Sequence, residues 1–140
     1  MPDMFLVNTG KPLILGNGWG YSSASEDFVL DLFTNSATVS DTTVASDLTP
    51  GAWTGYAQVS LPRSSWTTPV VSGTTCTLGT TVVPQWTNTS GSSVNVYGWM
   101  LRGAVSGTLY LAQNFSGAPI AIPNTYYLTL YPFQIGLQSY

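Results

Sequence analysis

The sequence predicts an all-β protein: a single-domain two-sheet sandwich, jelly-roll-like, with an extended N-terminal arm. Three observations carry that expectation. Roughly seven to nine short apolar runs recur about every ten residues between turn residues, the spacing of sandwiches and barrels. No stretch holds a helical period over enough residues to make a helix. Gln85 to Phe115, QWTNTSGSSVNVYGWMLRGAVSGTLYLAQNF, reads as a turn, a strand, a second turn and a returning strand. The arm is expected over residues 1–21 and the sandwich over residues 22–140.

The elements follow in chain order. Met1 to Gly20 is irregular, with the short apolar runs FLV and LIL and the glycine-rich GNGWG. That last run lacks the lysine and helix of a phosphate-binding loop. The arm is expected to lie across a neighbouring subunit, which makes Phe5, Leu6, Leu13, Ile14 and Trp19 candidate interaction residues. Ser23 to Glu26 matches a capping box by residue type. The FVLDLF that follows is short, β-branched and aromatic, and reads as a strand alternating Phe28, Leu30, Leu32 against Val29, Asp31, Phe33.

Asn35 to Gly55 is rich in Ser, Thr and Asp, longer than an ordinary connection, and so either functional or spread over the surface. Tyr56 to Leu61 is a strand stopped by Pro62. Val70 to Val71, Thr75 to Leu78 and Thr81 to Trp86 are short strand candidates, the last broken or pushed to an edge by Pro84. Thr87 to Ser93 is all Asn, Thr, Ser and Gly, residues that bend a chain. Val94 to Arg102 then places Val94, Val96 and Met100 on one face and Tyr97, Trp99 and Leu101 on the other. Both faces are apolar, so cover on both sides is expected. Gly98 leaves a gap that a bulge or a neighbouring side chain could occupy.

Gly103 and Gly107 bracket a hairpin loop, and Thr108 to Phe115 returns. Pro119 and Pro123 confine Ile120 to Ile122 to an edge piece. In YYLTLYPFQI, Tyr127, Thr129, Tyr131, Phe133 and Ile135 point one way and Leu128 and Leu130 the other, with Pro132 taking the second half to an edge or out of the sheet. The expected core is Trp86, Tyr97, Trp99, Leu109, Leu111, Phe115, Leu128 and Leu130.

Composition bounds the function. At 140 residues the chain is one domain and can bury roughly 70% of its unfolded surface without staples. Its lone Cys76 allows no internal disulfide, fits a reducing compartment, and reads as a small apolar packing residue. No run approaches the about 18 apolar residues of a membrane span, and the opening MPDMFLVN has an acid where a signal peptide carries basic residues. A soluble, unprocessed protein without a membrane partner is expected. Only 6% of residues are charged while 44% are hydrophobic, against about 25% charged in ordinary domains. A surface so weakly protected by charge favours association, and a homo-oligomer, dimer or trimer, is expected.

Several chemistries are excluded or unsupported. There is no histidine, so Ser-His and Cys-His nucleophile pairs and histidine-ligated zinc are ruled out. The one acidic cluster, Glu26, Asp27 and Asp31, reads as solvated or turn-capping rather than as a hydrolytic carboxylate pair. Asp41 and Asp47 match no recognised calcium loop. Lys11, Arg63 and Arg102 are the only basic residues, too few for a phosphate backbone. No enzyme, cofactor, metal or nucleic-acid partner is expected. Asn88-Thr89-Ser90 and Asn114-Phe115-Ser116 match the glycosylation pattern but read as turn residues. Trp53 and Trp66 sit in apparent loops. Each either pins its loop to the sandwich or belongs to a contact surface, where Trp and Tyr dominate binding energy.

The order of motifs also resembles a known family. W-T-N-T-S-G at Trp86 to Gly91, V-x-V-Y-G-W at Val94 to Trp99, G-T-L-x-L-A-x-x-F-S-G-A-P at Gly107 to Pro119, Ile122-Pro123 and an aromatic closing strand from Tyr126 to Ile135 resemble small tailed-bacteriophage virion proteins. Phe28 to Leu61 is similar to the same family's strand, acidic linker and "GY" strand. The resemblance implies a structural virion protein, assembled in the host cytoplasm and carried on the particle surface. A capsid decoration or cement protein fits a small, single, low-charge domain without repeat or stalk. Its partner would then be the major capsid protein or another virion subunit. The alternative is a tail-fibre, receptor- or carbohydrate-binding module, or another tail- or neck-associated component.

Overall fold

A computed structural model describes residues 5–6, 26–67, 70–73 and 75–138, with the backbone alone at residues 5, 6, 71, 75, 76, 137 and 138. Its strands are β1 (Phe5–Leu6), β2 (Phe28–Phe33), β3 (Val59–Leu61), β4 (Val70–Ser72), β5 (Thr75–Gly79), β6 (Gln85–Thr87), β7 (Val94–Val96), β8 (Gly98–Gly103), β9 (Leu109–Asn114), β10 (Ile120–Ile122), β11 (Tyr127–Thr129) and β12 (Gln134–Gln138). Two single turns of 3-10 helix, Ala45–Asp47 and Arg63–Ser65, are the only helical pieces among the described residues. The protein is all-β, and every ladder is antiparallel.

One sheet has the order β1-β9-β8-β2-β3, and β10-β7, β11-β6 and β12-β5-β4 form shorter ladders. The main core joins them: Phe28, Leu30, Leu32, Leu61, Trp99, Leu101, Tyr110 and Leu111 of the large sheet pack with Trp86, Val96, Ile122 and Ile135 of the shorter ones and with Phe133 just before β12. An aromatic chain crosses this layer. Tyr110 meets Phe28 edge-on at 5.1 Å, Phe28 meets Trp66 at 6.0 Å, and Phe133 meets both Trp66 at 6.4 Å and Trp99 at 5.1 Å. All but the tilted Trp66–Phe133 pair are edge-to-face, a geometry that adds to the area each ring buries.

The other face of the large sheet has its own cover. Val39 and Leu48, from the Ser/Thr-rich connection, close over Phe33, Met100, Leu109 and Ala112. Asn35 staples this connection on itself, donating to the Asp47 carbonyl at 2.8 Å and accepting from Thr49 N–H at 2.7 Å. Asn114 then ties it to the sheet, accepting from Val39 N–H at 2.8 Å and donating to the Ala37 carbonyl at 2.7 Å.

Three readings of the chain are corrected here. Val94 to Arg102 is two strands rather than one, because Tyr97 interrupts it. Its N–H donates to the Phe33 carbonyl and its carbonyl accepts from Phe115 N–H, so β7 pairs with β10 while β8 pairs with β2 and β9. The break shifts the alternation, and Val96, Trp99 and Leu101 share the main core while Tyr97 and Met100 face the second. Phe33 lies against Gly98, where an added Cβ would come within 2.5 Å of its ring. The alternation shifts again before β12, so that Leu128 and Leu130 pack on the same core as Phe133 and Ile135. Finally, Phe5–Leu6, expected in an arm lying on a neighbour, pairs with Ala112 and Leu111 of β9 at the edge of the chain's own sheet. Leu13, Ile14 and Trp19 lie outside the described residues.

Candidate interaction surface

Trp53 and Trp66 are both half-buried and packed against the main core. Trp53 stands 4.6 Å from Tyr56, edge to face, and its indole N–H donates to the Thr87 carbonyl at 2.9 Å. Each thus holds its loop to the sandwich. Of the expected core residues, Trp86, Trp99, Leu109 and Leu111 are buried, and Tyr97, Phe115, Leu128 and Leu130 are half-buried at its margin.

Among the described residues the exposed aromatics are three tyrosines of the closing aromatic segment. Tyr126, Tyr127 and Tyr131 are 63%, 63% and 78% exposed. Leu128 and Leu130 turn inward to the core, so the alternation of an extended chain sends Tyr127, Thr129 and Tyr131 outward as a stripe. The available signal was chemical: the outward positions carry hydroxyls and the inward ones are aliphatic.

The stripe runs into a groove of about 570 Å³ between the end of β9 and the Thr129–Gln134 segment. Trp99, Phe115, Tyr131 and Phe133 supply its rings, and Gln113, Ser116, Thr129 and Gln134 its polar groups. The Trp99 indole N–H donates to Gln113 Oε1 at 3.2 Å, which fixes the orientation of both. No Asp, Glu, Lys or Arg lines it.

Charged groups are used inside the chain. Asp31, expected to be solvated, is 1% exposed. It accepts from the Tyr56 hydroxyl at 2.6 Å and from Arg102 Nε at 3.1 Å, and pairs with Arg102 Nη2 as well. An isolated buried carboxylate is costly, so burial required these partners. Burial, together with the hydrogen bond to Asp31 and its charge, pushes the Tyr56 phenol well above the ordinary tyrosine range. Glu26 caps the β8–β9 loop, accepting from Val105 N–H at 2.6 Å, from Ser106 N–H at 2.8 Å and from the Ser106 hydroxyl. Burial alone would raise its pKa, but these donors outweigh burial and hold the carboxyl below its ordinary 4.5. Asp27 accepts from Arg63 N–H at 3.0 Å, and Asp47 accepts from Val44 N–H at 2.9 Å.

The two asparagines of the glycosylation pattern are committed as well. Asn88 is fully buried; its amide donates to the Ser92 and Ile122 carbonyls, both at 2.8 Å, while its oxygen accepts from Ser90 N–H and Oγ. Asn114 is held by Ala37 and Val39, as described above. Among the described residues no three Cys, His, Asp or Glu side chains gather where they could hold a metal ion, and no helix is long and apolar enough to cross a membrane.

No family model matches the sequence, and no curated protein or solved structure matches it.

Proposed function

We propose that this chain is a non-enzymatic structural protein of a tailed-phage particle, a capsid decoration or cement protein held on the outside of the head by aromatic and apolar contacts. The observation that carries the reading is the uncharged tyrosine stripe on a sandwich that turns four of its acids to internal use. Tyr127 and Tyr131, with Tyr126 also exposed at the start of the segment, offer large rigid area at low entropic cost, the residue type that dominates interface energy. Glu26, Asp27, Asp31 and Asp47 are each engaged by the chain itself, which supports a scaffold role over acid-base chemistry. The virion setting rests on the motif resemblance alone.

With three basic and six acidic residues in the chain, few ion pairs can form across any interface, and exposed ones contribute only about 0–1 kcal/mol each. Attachment then comes from burial at roughly 25 cal/mol per Å², before the cost of association. A reconstruction of the native particle tests the reading: density for this sandwich on the head exterior supports it, and particles lacking the chain end it. On such particles molar sodium chloride leaves the protein bound and urea strips it, because urea weakens burial. Release by salt alone would overturn the aromatic attachment.

A further inference from the structure

We propose that the groove between β9 and the Thr129–Gln134 segment binds a neutral oligosaccharide. This goes beyond the virion reading and is tested on the isolated chain, in which no particle contact covers Tyr131.

Size comes first. A groove of about 570 Å³ falls within the roughly 300–1,000 Å³ of small-ligand sites. Charge comes next. With no acid or base in its lining, the groove offers an anionic ligand no counter-charge, and moving an unpaired charge out of water is costly. A purely apolar ligand fits no better, because it would cover the polar groups of Gln134, Ser116 and Thr129 without bonding them.

What remains is a ligand with apolar faces and a rim of groups that both donate and accept. A pyranose ring has that form: its C–H face lies on an aromatic ring, and its hydroxyls match side-chain amides and hydroxyls, which also donate and accept. Tyr131, 78% exposed at the mouth, presents the stacking face. Gln134 and Ser116, both exposed, stand at the rim. Trp99 and Phe133, 5% and 6% exposed and 5.1 Å apart, are too enclosed to stack a sugar. They form a rigid floor, and the Trp99 indole reports on what sits above it.

The purified chain is titrated with maltotetraose, cellotetraose, chitotetraose and β-1,4-galactotetraose, and with tetragalacturonate as the anionic arm, reading calorimetry and tryptophan fluorescence. The expected result is binding of at least one neutral tetrasaccharide with a change in tryptophan emission, and none of the anionic one. Tyr131→Ala weakens that binding by at least about tenfold with an unchanged unfolding midpoint, and Gln134→Ala weakens it less. No neutral tetrasaccharide bound at millimolar concentration, binding unaltered by Tyr131→Ala, or preference for tetragalacturonate each overturn the proposal. None of these outcomes bears on whether the chain is found on a phage head.

Discussion

Asp31 on β2 and Arg102 on β8 stand diagonally across two antiparallel strands, two residues apart in register, and the guanidinium reaches one carboxylate oxygen through both Nε and Nη2. The acid's side chain is 2% exposed and the arginine's 23%. Breaking a fully buried pair by removing one partner costs about 3–5 kcal/mol, because the other charge is left buried and alone. Arg102→Met is expected at the low end of that range, since Arg102 keeps some contact with water. Adding Asp31→Leu to Arg102→Met is expected to recover much of the loss. Urea midpoints for the two single variants and the double one measure this, and a double variant as unstable as the sum of the singles would show that the pair was not coupled.

Tyr56 bridges that pair to the backbone. Its hydroxyl accepts from Leu32 N–H at 3.1 Å and donates to Asp31, so it stands in for a strand partner just before β3 begins. Tyr56→Phe leaves both groups short of a bond and is expected to cost about 1–3 kcal/mol. The pH dependence has a definite sign. A phenol whose folded pKa is raised contributes stability that is fully present below its ordinary 10.0 and falls away as pH climbs from there. Tyr110, raised by burial and by the charge of Glu26, acts in the same direction. Thermal midpoints should therefore fall less steeply above pH 10 in Tyr56→Phe than in the parent chain; parallel curves would contradict the assignment.

Glu26 works with the opposite sign. Its carboxyl is held below 4.5 by the β8–β9 loop, so its contribution is present above that value and is lost as pH falls through the lower folded value. Glu26→Gln should be less stable near neutrality and should show a shallower acid limb. Hydrogen exchange at the Val105 and Ser106 amides, both donors to Glu26, should quicken in that variant. An unchanged exchange rate would mean the loop is held by other contacts.

Gly98 is expected to tolerate no side chain. An added Cβ would lie 2.1 Å from the Gln113 carbonyl oxygen as well as 2.5 Å from Phe33, and backbone cannot move aside as a flexible side chain can. Gly98→Ala should cost at least the about 1–3 kcal/mol of ordinary overpacking, measured by urea denaturation. A near-neutral result would mean that β8 does not pack this closely on β9 and Phe33.

What the sequence determined by itself was local. Alternating apolar residues made β2, β8 and β9 legible as strands, and the glycines bounding Ala104–Ser106 marked the hairpin loop between β8 and β9. The two tryptophans in loops could be assigned a pinning or a contact role, with no local signal to separate the two.

Tertiary structure decided everything that depends on distant pairing. Asp31 reads as a solvated acid until β8 brings Arg102 beside it from 71 residues away; the only hint was an acid inside an otherwise apolar strand. The connection after β2 reads as surface until the second face of the large sheet needs cover, which Val39 and Leu48 provide. The groove takes Trp99 and Phe115 from beside the slip at Tyr97, and the tyrosine stripe leads into the slip before β12. A side-chain period of two says only that neighbours face opposite ways. Which way each faces is set by the partner strand, and a single interrupted residue reverses every assignment after it.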